Sequence, residues 1–193
     1  MLKTRIITAL ISLVLIGIVL FVVPRQYTEL IIGVLLVAGA WEWSGFLGTS
    51  GAGMRLVYTA IVAVALGLIY FVVPEKTTLV LQIGCVWWCL AFFWNLRFPT
   101  PIPAALRWIS GLLVIVPLYA ALVSLLRLGV EYLIFTLLIV WAADAGAYFA
   151  GKKFGRVKLA PAISPGKTWE GVVGGLLLVA VLATGVAVWR DVS

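Results

Sequence analysis

From residue 6 onward the sequence alternates long apolar runs with short polar interruptions, and the lengths of those runs carry the first inference. A helix needs about 20 mainly apolar residues to cross the hydrocarbon core of a bilayer. Runs that meet this requirement cover residues 6 to 23, 29 to 47, 56 to 73, 78 to 96, 108 to 126, 131 to 150 and 170 to 189, each bounded by charges, prolines or glycines. The pattern predicts an all-α fold, a polytopic transmembrane helix bundle of about seven spans. The first run follows Lys3 and Arg5, as the core of a signal peptide would. It then continues into Pro24 without a small-residue cleavage site, so it is expected to be a retained helix. No internal repeat, low-complexity tract or soluble domain interrupts the series. Residues 1–193 are expected to form a single membrane domain, with N-terminal spans to residue 127 and a distinct region from 128 to 193.

Composition sharpens this picture. Hydrophobic residues make up 64% of the chain and charged residues 11%, and the mean hydropathy is +1.20. A water-exposed surface needs more polar residues than that, so lipid must be the solvent for most of the exterior. The net charge of +7 would suggest nucleic acid in a soluble protein. Here the basic residues lie in short loops, where they act as topology signals, and a nucleic-acid partner is not expected. Alternation from a cytoplasmic N-terminus puts Lys3, Arg5, Arg55, Arg97, Arg107, Lys152, Lys153, Arg156, Lys158 and Lys167 inside. Only Arg25, Lys76, Arg127 and Arg190 fall outside, and that imbalance supports the orientation. The segment "RFPTPIPAALR", 97 to 107, reads as a turn or, from its alternate prolines, as a stiff extended connector.

Histidine is absent from the whole chain, which removes Ser-His and Cys-His nucleophile pairs, His-ligated metals and a histidine base together. Chemistry must rest on carboxylates, lysines, hydroxyls or an oxygen-held metal. Cys85 and Cys89 lie four apart in an apolar run, without CxxC spacing, and read as packing residues.

A few polar residues need a reason. Asp144, in "VWAADAGAYFAG", lies about seven residues inside its span, roughly 10 Å deep at 1.5 Å per residue. An aspartate near a helix centre costs about 2.5 to 3.5 kcal/mol, so it should face a polar cavity, a cation, a metal or a lysine between helices. Glu42, in "GAWEWSGF", is either a second deep acid on the same side or an interfacial group beside Trp41 and Trp43. Around Asp144, Ala143, Ala147 and Gly151 form one smooth ridge and Ala142, Gly146 and Ala150 a second. Gly171 and Gly175 repeat the spacing in the next span, which predicts that spans six and seven meet beneath the loop 151–169.

That loop contains "KLAPAISPGKTWEG". The run resembles G-x-x-x-x-G-K-[ST], but the first glycine would fall at Pro161 and no strand is expected before it, so a P-loop is rejected. What remains is simpler. Ser164, Lys167 and Thr168 offer hydroxyl and ammonium groups beside a helix N-terminus, a setting that favours phosphate.

The stretch "DAGAYFAGKKFGRVKLAPAISPGKTWEGVVGG", residues 144 to 175, resembles the central segment of bacterial phosphatidate cytidylyltransferases, the CDP-diacylglycerol synthases. The resemblance implies a membrane enzyme of phospholipid biosynthesis that takes CTP and phosphatidic acid, releases pyrophosphate and uses Mg²⁺. Residues 128–193 would then begin the catalytic region. On that reading Asp144 and Lys167 are the expected catalytic residues, Ser164, Thr168, Lys158 and Glu170 contact substrate, and Asp144 also touches the metal. The expected partners are CTP, phosphatidic acid and membrane lipid, with a homodimer as the assembly, and the expected location is the bacterial inner membrane with the N-terminus in the cytoplasm. The family's later signature is absent: a Lys-Asp pair, a Pro-Gly-His-Gly-Gly turn and an Asp-Arg-x-Asp ending. It carries metal-binding aspartates, so the resemblance implies a C-terminally truncated chain with little activity alone. The alternatives are a related CTP-dependent lipid or polyprenol enzyme, or a transporter in which Asp144 and Glu42 line an ion path. The inverted repeats and paired broken helices of transporters are not found.

Overall fold

The computed structural model describes residues 2–48, 51–71 and 76–192. The helices in chain order are α1 (Leu2–Phe21), α2 (Arg25–Trp43), α3 (Ala52–Phe71), α4 (Thr77–Asn95), α5 (Ala104–Leu128), α6 (Val130–Phe154) and α7 (Trp169–Val192). A 3₁₀ turn over Ser44–Leu47 extends α2. Among the described residues, six helices are long and apolar enough to span a membrane. In α1 only Leu10–Phe21 forms a shorter apolar stretch. The bundle is therefore all-α in its spans, and the chain is a multi-pass membrane protein. Residues 72 and 73 of the expected third span lie outside the described residues.

Two differences from the expected elements have physical reasons. Helices α5 and α6 run several residues past their apolar runs, because a helix end in the headgroup region can carry charge at Arg107, Arg127, Lys152 and Lys153. Residues 151–169 are not one loop. Helix α6 continues to Phe154, after which β1 (Lys158–Ala160) and β2 (Ser164–Thr168) form an antiparallel hairpin leading directly into α7.

The chain divides into two compact units, Met1–Leu96 with Thr100–Val130, and Arg97–Pro99 with Glu131–Ser193. In the first, Ala40 and Leu47 of the α2 segment, Tyr58, Val62 and Leu66 of α3, and Ile115, Tyr119 and Val123 of α5 form the core. Close approach is possible because Gly111 leaves room for Tyr58, whose hydroxyl donates to the Trp108 carbonyl at 3.3 Å. A Cβ on Gly111 would collide with that hydroxyl. Helix α4 reaches α5 at Gly84, where a Cβ would lie 2.7 Å from Pro117. Proline inside α5 removes one helical hydrogen bond, and the flat ring fits the notch that glycine leaves.

The "WEWSGFLG" segment closes one end of this unit. Arg55 donates to Ser44 Oγ at 2.9 Å and to the Trp41 carbonyl at 3.0 Å, with its guanidinium 4.5 Å from the Trp41 ring centroid. Trp43 Nε1 donates to the Arg107 carbonyl at 3.1 Å. Gly48 ends the 3₁₀ turn at φ 74°, a left-handed conformation that favours glycine. The tryptophans turn inward to make these contacts, and Glu42 between them is exposed.

Candidate functional site

In the second unit, small residues determine how α6 and α7 pack. A Cβ on Gly146 would lie 2.5 Å from the Gly174 carbonyl oxygen, and one on Gly175 would lie 2.8 Å from the Ala143 oxygen. One on Gly171 would come within 2.9 Å of the Ala147 oxygen, and one on Gly174 would overlap Ala150. Backbones meet at van der Waals distance, as the small-residue ridges predict. Gly174 carries part of this contact although its spacing from Gly171 and Gly175 gave no signal of its own. At the opposite end of the pair, the Arg190 guanidinium lies 5.0 Å from the Tyr132 ring centroid.

The hairpin is anchored where α7 begins. Thr168 is buried, and its Oγ1 accepts the Gly171 N–H at 3.2 Å, the bond of an N-cap residue. It rests in a notch formed by glycines, since Cβ atoms on Gly151 or Gly155 would lie 3.1 Å or 3.0 Å from Oγ1. The Val157 carbonyl accepts the Trp169 N–H at 3.0 Å, and the Glu170 carboxylate accepts the Val157 N–H at 3.1 and 3.3 Å. Thr168 and Glu170 thus hold the hairpin to the first turn of α7.

The remaining expected site residues are more open. Lys158 pairs with Thr168 in register and Ser164 with Ala160, near the turn closed by the Ile163 N–H to Ala160 carbonyl bond at 3.1 Å. Strand alternation puts Lys167 on the opposite face of β2 from Thr168, and it is exposed. Ser164 lies about 13 Å along the strand from Thr168 at ~3.3 Å per residue. Lys158, Thr168 and Glu170 cluster at the hairpin base, Ser164 lies at its tip, and Lys167 faces outward.

Asp144 is exposed on α6 and makes no ion pair or hydrogen bond among the described residues. Helical periodicity puts it on the same flank as Gly151 and Gly155, about 10 Å along the axis from Gly151 at 1.5 Å per residue. Its flank therefore leads up to the notch that seats Thr168. No group of three or more acidic or cysteine side chains capable of holding a metal is found among the described residues. Magnesium is commonly bound through one or two carboxylates plus substrate phosphates and water, so Asp144 fits as a single protein ligand of that kind.

Among the described residues, the acid most fully buried in protein is one that the spacing of polar residues did not single out. Glu29 is 3% exposed, and its carboxylate accepts Arg127 Nε at 2.9 Å and Nη2 at 2.8 Å. It sits at the very start of the expected second span, where a glutamate reads as a flanking charge. Only the partner on α5, distant in sequence, shows its role as a clamp within the first unit.

An apolar bundle of span-length helices whose second unit carries an exposed, lysine-bearing hairpin defines a class, that of polytopic membrane proteins. The family model of cytidylyltransferases matches residues 3–191. A phosphatidate cytidylyltransferase of Pseudomonas aeruginosa is 41% identical over 182 residues, covering 91% of this chain and 67% of the relative. One of Haemophilus influenzae is 33% identical over 209 residues, covering 95% and 72%. One of Bacillus subtilis is 48% identical over 56 residues, covering 29% and 21%. The chain belongs to the cytidylyltransferase family.

Proposed function

We propose that the protein transfers CMP from CTP to phosphatidic acid, forming CDP-diacylglycerol and pyrophosphate in a bacterial inner membrane. The observation that carries this reading is the family match from end to end of a chain whose exposed lysine hairpin rises from membrane-spanning helices. A phosphate oxygen of phosphatidic acid attacks the α-phosphorus of CTP. A new P–O bond forms, the bond from the α-phosphorus to the α,β-bridging oxygen breaks, and pyrophosphate leaves. The attacking oxygen is already anionic at neutral pH, so a chain without histidine suffices, and its task is positioning and charge neutralisation. Lys167 and Lys158 neutralise phosphate charge, Ser164 donates a hydrogen bond, and Thr168 and Glu170 fix the hairpin from which these groups project. Asp144 would supply a carboxylate to hold magnesium, which when bound would add charge neutralisation on the phosphates. The hairpin is cytoplasmic, where CTP is found, and a homodimer is the proposed assembly.

The test is conversion of labelled CTP and phosphatidic acid in vesicles. It is run on the chain as it stands and on the chain joined to the part of the P. aeruginosa relative outside the matched segment. CDP-diacylglycerol and pyrophosphate formed in equal amounts by the joined chain support the reading. No product from either, with membrane insertion intact, would overturn it.

A further inference from the structure

The first unit contains a cleft of about 620 Å³ where α2 and α4 end and α5 begins, lined among others by Trp43, Trp87, Trp88, Trp94, Arg107 and Ser110. Its volume falls within the roughly 300 to 1,000 Å³ of sites that enclose small organic ligands. We propose that it binds one anionic glycerophospholipid of the surrounding bilayer, with the phosphate at the Arg107 guanidinium and an acyl chain along the tryptophans.

Charge is the first argument. Arg107 is the one charged group among the described lining residues, and no carboxylate faces it. Its Nε donates to the Ile102 carbonyl at 3.0 Å and its Nη1 to the Phe46 carbonyl at 3.4 Å. Both acceptors are neutral, so the guanidinium is oriented while its charge remains uncompensated. Nη2 has no protein acceptor among the described residues, leaving a planar donor edge of the kind that matches a phosphate.

The second argument is the wall. Indole rings combine an apolar body with one donor and favour the depth where headgroups meet acyl chains. The indole N–H groups of Trp87 and Trp88 have no hydrogen-bond partner among the described residues. Exposed Phe46, Trp88 and Ile102 line the cleft, so a ligand reaching it sideways comes from lipid rather than water. None of these residues belongs to the hairpin or to the helix of Asp144, and the proposal stands apart from the proposed catalysis.

The test uses the whole chain in phosphatidylcholine vesicles, with tryptophan fluorescence quenched on contact by brominated acyl chains. Brominated phosphatidylglycerol should reach half-maximal quenching at a mole fraction about fivefold lower than brominated phosphatidylcholine, the preference one interfacial arginine gives. Arg107→Gln should abolish the difference, and so should Ala91→Phe, which fills the cleft and keeps the test decisive if the arginine variant misfolds. Leu90→Phe, on an exposed neighbouring position of α4, should preserve it. Equal quenching by both lipids in the unaltered chain sinks the proposal, as does a preference that survives Ala91→Phe. A change of oligomeric mass in Ala91→Phe with quenching unchanged would assign the cleft to a second copy instead, and would also sink it.

Discussion

Two lysines show how far single residues can be distinguished. Lys152 and Lys167 count equally as topology charges, yet the Lys152 ammonium lies 5.6 Å from the Tyr148 ring centroid on α6. Lys167 projects from β2 with no protein partner among the described residues. If Lys167 neutralises phosphate, Lys167→Ala should lower kcat/KM by roughly one to three orders of magnitude, about 1.4 to 4 kcal/mol of transition-state stabilisation, and Lys152→Ala far less. Asp144→Asn keeps size and removes charge, so it should eliminate most turnover while membrane insertion stays normal. Steady-state kinetics on the joined chain checks both, and equal, mild effects at the two lysines with an active Asp144→Asn would reduce the hairpin to a topology signal. Asp144 was legible in the sequence because a charge inside an apolar run is costly wherever it points. Thr168 was legible only as a polar residue. The letters Gly-Lys-Thr do not reveal that its hydroxyl meets the N-terminus of its own helix, since that depends on the notch at Gly151 and Gly155.

At the scale of elements, helices announce themselves because a bilayer imposes both length and composition on them, and the expected spans match the observed ones to within a few residues at most ends. The hairpin gave no such signal. Strands of three and five residues containing proline, glycine and lysine show no alternation, and pairing depends on the turn at 160–163 that brings them together. The α6–α7 crossing was legible as a ridge of small residues, and its tolerance can be measured. Gly174→Ala puts a methyl group against Ala150 and 2.8 Å from the Gly146 oxygen, so the helices must part. A cost of about 1 to 3 kcal/mol is expected, seen as a lower Tm in detergent. Gly185→Ala on the same helix meets nothing within 4 Å and should leave the Tm unchanged.

For the whole molecule, charge alternation predicts that Arg55 and Arg107 lie at one end of the first unit and Arg25 and Arg127 at the other. The structure groups them in this way, the first pair around the end of α2 and the second around Glu29. Single cysteines at 156 and 162, in a chain lacking Cys85 and Cys89, should resist membrane-impermeant thiol reagents in intact cells and react after permeabilisation. Ready labelling from outside would reverse the orientation and remove the hairpin from the nucleotide's compartment. Which spans touch was not legible in the same way, since hydropathy scores each span separately. Val157 has one further consequence. Both of its backbone polar groups are held by α7, the carbonyl by the Trp169 N–H and the N–H by Glu170. In deuterium its amide, although it sits in an exposed turn, should exchange at the slow rate of the first turn of α7. Opening the hairpin at this point has to break the bonds to both Trp169 and Glu170, and Glu170→Ala should speed exchange of the Val157 amide.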